Sequence, residues 1–133
     1  MYQMKFTSML ASLLFLAACA PQDVVRIKQQ ASEVFMLDQP YQALYHSSLN
    51  RLKQCYLDQP TATQFAISDQ RDYANQSAKI MLKSLYGKTG EALNVLIEFK
   101  AKENNQTEVM VFSQSARNLS RNVQLLKNPE KSC

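Results

Sequence analysis

The side chains able to do chemistry are few and scattered. The single histidine, His46, lies in "YHSSLNRLKQCY" (45–56). Helical spacing sets it on a flank beside Asn50 and Lys53, off the apolar stripe through Leu49. A base there needs a nucleophile or an orienting partner. No glycine-bounded serine or strained turn supplies one, so His46 reads as a surface residue. Asp69 and Asp72 are the closest acidic pair, the residue type that glycosidases use. They sit around the turn-like "RDYANQ", where aspartate is common for backbone reasons. "GKT" (87–89) resembles the end of a phosphate-binding loop, but that motif's first glycine is replaced by Leu82. A hairpin turn is the simpler reading. No catalytic constellation, cofactor fingerprint or metal set emerges, and the chain reads as non-enzymatic.

Three cysteines carry more information. Phe6 to Ala18 is apolar apart from Thr7, Ser8 and Ser12, and follows one positive charge at Lys5. That run is shorter than the roughly 20 apolar residues a bilayer span needs. A charged start, a short apolar segment and small residues at its end describe a secretory signal. Its last residues, Leu16-Ala17-Ala18-Cys19, resemble a bacterial lipobox, a motif in which the cysteine thiol takes a diacylglyceryl group before cleavage. The resemblance implies that Cys19 begins the mature chain and receives a further acyl group, such as palmitate, on its amine. Two or more chains anchor a protein stably where one holds it only marginally. Ala20 follows the cysteine in place of aspartate, which favours the outer over the inner membrane. The expectation is a cell outer-membrane lipoprotein facing the periplasm.

Export implies an oxidising compartment, where an even cysteine pair reads as a disulfide. Cys55 and Cys133 remain after Cys19 and would close a loop of 78 residues. Two buried free thiols or a metal pair fit less well. A terminal residue is rarely buried, and no neighbouring histidine or cysteine completes a zinc set.

The whole chain has 133 residues and a formal charge of +4. Removing residues 1–18 leaves 115 residues, enough for one domain, and takes away only Lys5, leaving about +3. The positive charge is spread along the sequence. Specific nucleic-acid binders show a clustered basic patch, so nucleic acid is not an expected partner.

The elements follow from periodicity. Residues 19–39 read as a lipidated terminus and linker, with "VVRIKQQASEVFML" (24–37) either a short helix or an extended strap whose second half docks on the body. Pro40 starts a helix over 41–56 with Tyr41, Tyr45, Leu49, Leu52 and Tyr56 on one face and Cys55 along its edge. The period then changes to two. "TQFAISD" (63–69), "SAKIMLKSLY" (77–86), "ALNVLIEFKAK" (92–102) and "EVMVFSQ" (108–114) read as four strands with short turns between them. A turn at Gly87-Lys88 would set Leu82 opposite Leu93 and Ile80 opposite Val95. A two-residue turn at Asn104-Asn105 would set Phe99 opposite Met110, whereas a three-residue turn would bring Val109 and Val111 to the core face. "SQSARNLSRNVQLLKN" (113–128) returns to helical spacing, with Ala116, Leu119, Val123 and Leu126 inward, Asn122 on the polar side, and Ser113 or Ser115 as the cap. The expected domain spans 40–133. It is α+β with two layers, in which helix, four-stranded antiparallel meander and helix follow in order, both helices on one sheet face.

The other sheet face would then display Lys79, Met81, Lys83, Leu96, Glu98 and Lys100 and, with the two-residue turn, Val109 and Val111. A half-apolar patch ringed by lysines can bind a partner or an acyl chain. Singly scattered apolar residues are also ordinary on a surface.

"YHSSLNRLKQCY", "VLIEFKAKENNQTEVMVFS" (95–113), a short helix and a terminal cysteine together resemble a family of small proteobacterial lipoproteins of uncharacterised function. Its members share the lipobox, a helix ending in Cys-Tyr and a last-residue cysteine. The resemblance implies an α+β domain with a Cys55–Cys133 bridge on an outer-membrane lipoprotein, and supplies no catalytic residues. Function is then expected to lie in contact: binding or supporting another envelope component, or alternatively carrying lipid or inhibiting an envelope-targeting enzyme.

Overall fold

The structure, a computed structural model, describes residues 22–60, 62–86 and 90–133. A short helix α1 (Gln22–Lys28) leads into strand β1 (Ala31–Leu37) and the long helix α2 (Tyr41–Tyr56). Four strands follow: β2 (Gln64–Asp72), β3 (Ser77–Tyr86), β4 (Gly90–Ala101) and β5 (Thr107–Ser113). Helix α3 (Ala116–Lys127) ends the regular structure. The strands form one antiparallel sheet in the order β1-β5-β4-β3-β2. The class is α+β, as the sequence predicts, with one strand and one helix more.

Both additions come from residues 22–39, expected as a linker outside the domain. β1 pairs with β5 from Ala31↔Ser113 to Leu37↔Thr107 and forms one edge of the sheet. Its inward positions are Ala31, Glu33, Phe35 and Leu37, of which Phe35 and Leu37 pack on the core. Since β2 forms the opposite edge, α2 carries the chain from one side of the sheet to the other.

Helix α2 has the bounds that its periodicity predicts, with Pro40 at the N-cap. Proline fits there because its missing N–H would be an unpaired donor anyway. Leu44, Tyr45, Leu49, Leu52, Cys55 and Tyr56 are buried along one stripe. They meet Ile80, Leu82, Val95, Ile97 and Phe99 of the sheet and Val123, Leu125 and Leu126 of α3 in one core. The Tyr45 ring stands edge-on to Phe99, and Tyr56 edge-on to Phe65. Ser115 caps α3 by accepting the Asn118 N–H at 3.2 Å. Cys55 and Cys133 form a disulfide with Cα atoms 5.4 Å apart, pinning the tail beyond α3 to the end of α2.

One register differs from expectation, and the other takes the second of its two alternatives, the three-residue turn. Between β3 and β4, Tyr86 pairs with Gly90, so the connection spans three residues (87–89), not two. That shifts the pairing by one residue. A bulge at Asn94 then shifts it once more, because Leu82 pairs with Val95 while Lys83 pairs with Leu93. Ile80 and Leu82 thus keep apolar partners, Ile97 and Val95, but Leu93 moves to the other face. Between β4 and β5, Asn104 (φ 59°) and Asn105 (φ 56°) are both left-handed, a region asparagine tolerates. With Glu103 they close a three-residue loop sealed by the Lys102 N–H donating to the Gln106 carbonyl at 2.8 Å. Phe99 therefore faces Val109, not Met110, and Val109 and Val111 are wholly buried on the helix side.

Candidate functional site

The sheet face away from α2 and α3 is the one on which a binding surface is expected. Met81 and Lys83 of β3 lie on it with exposed Lys79, and Leu96, Glu98 and Lys100 of β4 beside them. α1 covers half of it. Ile27, 2% exposed, packs against Leu93 and Leu96, with Val24, Met81 and Phe112 around them. Lys28 pairs with Glu98 at 2.6 Å and lies 5.7 Å from the centre of the Phe112 ring. Leu96 is 0% exposed. It is a second-core residue beneath α1 and is not available to a partner.

The remaining members stay on the surface but are separated. Lys79 and Lys100 are exposed, Met81 is half-buried against the α1 cluster, and Lys83 pairs with Glu91 at 3.1 Å. The apolar exposure lies instead toward the β1 edge and on α1. Val34 (56%), Met36 (44%) and Val25 (46%) are open, and half-buried Met110 pairs with Val34 across the strands. A polar hollow of about 350 Å³ flanks α1, lined by Asp23, Arg26, Gln30, Glu91 and Gln114.

A second concavity, about 330 Å³, opens on the helix side where α2 ends. Tyr56 and Phe65 form one wall, Ser84 and Asn94 the floor, and Arg121 and Asn122 of α3 the other wall. Asn122, expected among the polar side of α3, is 0% exposed. Its Oδ1 accepts from the Tyr56 hydroxyl at 3.1 Å, and its Nδ2 donates to the Asn118 carbonyl at 2.8 Å. The Arg121 guanidinium sits 5.2 Å from the centre of the Tyr56 ring. Asn94 reaches this cleft because the bulge re-aims it, and its Oδ1 accepts from the Ser84 hydroxyl at 3.3 Å. Such a cleft offers amide donors, one cation and aromatic walls: equipment for holding a polar group, with no nucleophile–base pair.

The reactive residue types stay apart. His46 is exposed on α2, its ring 5.2 Å from that of Tyr45. Asp69 lies within β2, not in a turn, and accepts from the Tyr45 hydroxyl. Asp72 closes β2 and holds the next turn, accepting from the Asn75 side-chain amide at 2.7 Å and its backbone N–H at 3.2 Å. These bonds, the side-chain one foremost, hold the Asp72 carboxyl below its usual value. Three residues apart on one strand, the two carboxylates leave opposite faces and do not act together. Among the described residues no group of three or more His, Cys, Asp or Glu side chains is placed to hold a metal ion. Cys19, the signal segment and the "GKT" turn lie outside the described residues.

One signal could have found the buried outer face. "VLI" (95–97) is continuously apolar, the mark of a strand covered on both sides. Val24 and Ile27, three apart in the segment before β1, supply the covering helix.

No family model and no curated protein sequence matches the chain.

Proposed function

We propose that this chain is a bacterial lipoprotein, tethered to the outer membrane through acylated Cys19, that binds or supports another envelope component without catalysing a reaction. The observation that carries the reading is the pairing of Cys55 with Cys133. A structural disulfide persists in exported proteins and is rare in the cytosol, which agrees with the export signal ending in Leu16-Ala17-Ala18-Cys19. The folded domain starts three residues after Cys19, as suits a domain held close to its anchor. The cleft between Tyr56, Asn94 and Arg121 is the place on the domain best furnished to receive a partner's polar group.

Intact-cell crosslinking and pull-down of the native protein, beside a Cys19→Ala control, tests this. Mass spectrometry should find Cys19 acylated at the mature N-terminus, and an envelope protein should be enriched with the wild type alone. Co-purifying lipid without a protein partner would favour a lipid carrier. A Cys19→Ala form that still sediments with membranes would refute the anchor.

A further inference from the structure

We propose that the α1-bearing face of the sheet lies against the bilayer surface in which the chain's own anchor is embedded. The proposal rests on the reading of Cys19 as the acylated residue. Three residue steps separate Cys19 from Gln22, the first residue of α1. A trans chain advances at most about 3.6 Å per residue, so the start of α1 stays within about 11 Å of the anchored cysteine. A headgroup layer is about 5–8 Å deep on each side of the bilayer, so α1 starts within a few ångström of the membrane surface. The domain stays beside the membrane, and its α1 end is the part held nearest.

The composition of that face suits the occupant. Val34 and Met36 point outward from an edge strand at 56% and 44% exposure, with Met110 beside Val34. Val25 of α1 is 46% exposed. Outward apolar residues on an edge strand invite association unless something covers them. Around them Arg26, Lys79, Lys100 and Lys102 are exposed, and Lys28 is partly so beside Glu98. Lys83 lies there too, paired with exposed Glu91 at 3.1 Å. Carboxylates are nearly as many: besides Glu91 and Glu98, Asp23 is exposed, Asp72 ends β2 opposite Ser77, and Glu108 lies 3.7 Å from Lys102. The excess of cations is slight, six against five, and is compatible with an anionic lipid surface. With this side on the bilayer, α2, α3 and the cleft beside Tyr56 face away from it, open to a periplasmic partner.

The chain contains no tryptophan, so an introduced one reports its own surroundings. Full-length acylated protein carrying Val34→Trp, Met36→Trp or, as the distal control on α3, Arg117→Trp would be reconstituted in phosphatidylethanolamine–phosphatidylglycerol vesicles and purified by flotation. Lipids brominated on the acyl chains then quench tryptophans near the hydrocarbon. We expect V34W and M36W to lose about half their emission and R117W to be unchanged. Vesicles that float with both outer-face tryptophans unquenched, or with all three quenched alike, would overturn the orientation while leaving the anchor intact. Wild-type protein that fails to float would overturn the anchor and the orientation together. Two outer-face sites guard against one variant misfolding.

Discussion

The bridge between Cys55 and Cys133 closes 78 residues, and its contribution can be worked out from that length. In the chain-entropy account, a loop of this size removes about 4.5 kcal/mol of freedom from the unfolded chain. A domain of this size has a total stability of roughly 5–15 kcal/mol, so the bridge supplies between a third and nearly all of it. Cys133→Ser is the cleanest perturbation: Cys133 is exposed and the substitution leaves no cavity, while Cys55 remains as a buried small side chain. With a slope of about 4 °C per kcal/mol at this length, the melting temperature should fall by about 15–20 °C. Thermal unfolding followed by circular dichroism reads this directly. Reductant should lower the wild type to the level of the variant and leave the variant itself unmoved. A fall of under 3 °C, or a reductant effect that persists in the variant, would refute the view that this staple stands in for a larger core.

Four further outcomes follow from the packing. Leu96→Ala should cost about 2–5 kcal/mol in denaturant unfolding, as in a core, whereas Lys79→Ala on the same face should stay within about 0.5 kcal/mol; equal small effects would mean that α1 does not seal this face. Asn122→Ala strands the Tyr56 hydroxyl and should cost about 1–3 kcal/mol, with Tyr56→Phe costing less. Carbon-detected NMR titration should find Asp72 ionising below the usual aspartate value, about 3.9, and Asn75→Ala should raise it. Because the folded value is depressed, the stabilisation is present above the unfolded value and lost as pH falls through the folded one. The gap between wild type and Asn75→Ala should therefore be open at pH 5 to 6 and close in stronger acid.

The helix-side core was legible because it obeys simple periods. Tyr45, Leu49, Leu52 and Tyr56 repeat as a helix stripe, while Ala78, Ile80 and Leu82 alternate with Lys79, Met81 and Lys83, so helix and strand announce themselves. β1 did not, for a physical reason visible in its burial. Its inward residues include Glu33, which reaches Lys127 at 3.1 Å, and its outward ones include Val34 and Met36. A strand with a carboxylate inside and aliphatics outside shows no alternation to read. Leu93 lies on the face opposite to the one its spacing predicts because a loop one residue longer and the bulge at Asn94 each shift the register once. The two shifts cancel for every residue beyond the bulge and remain only between it and the loop. Asn122 reads as a solvent-facing residue because its polarity gives no hint of a buried hydroxyl partner sixty-six residues away.

The expected surface failed at Leu96 for a related reason, and the failure is informative. A seven-residue helix is too short to hold its shape alone in water, so α1 exists because Ile27 is seated between Leu93 and Leu96 and Lys28 is tied to Glu98. That seat exists only because the bulge turned Leu93 outward. The bulge thus has two effects on opposite faces of one sheet. It builds the seat that fixes α1, and it swings Asn94 into the cleft beside Tyr56 and Arg121. Substituting Asn94 should therefore disturb the cleft without freeing α1, and deleting it should do the same. β4 would straighten with Leu93 still outward and Val95 still inward, so the cleft would lose its amide while α1 kept its seat.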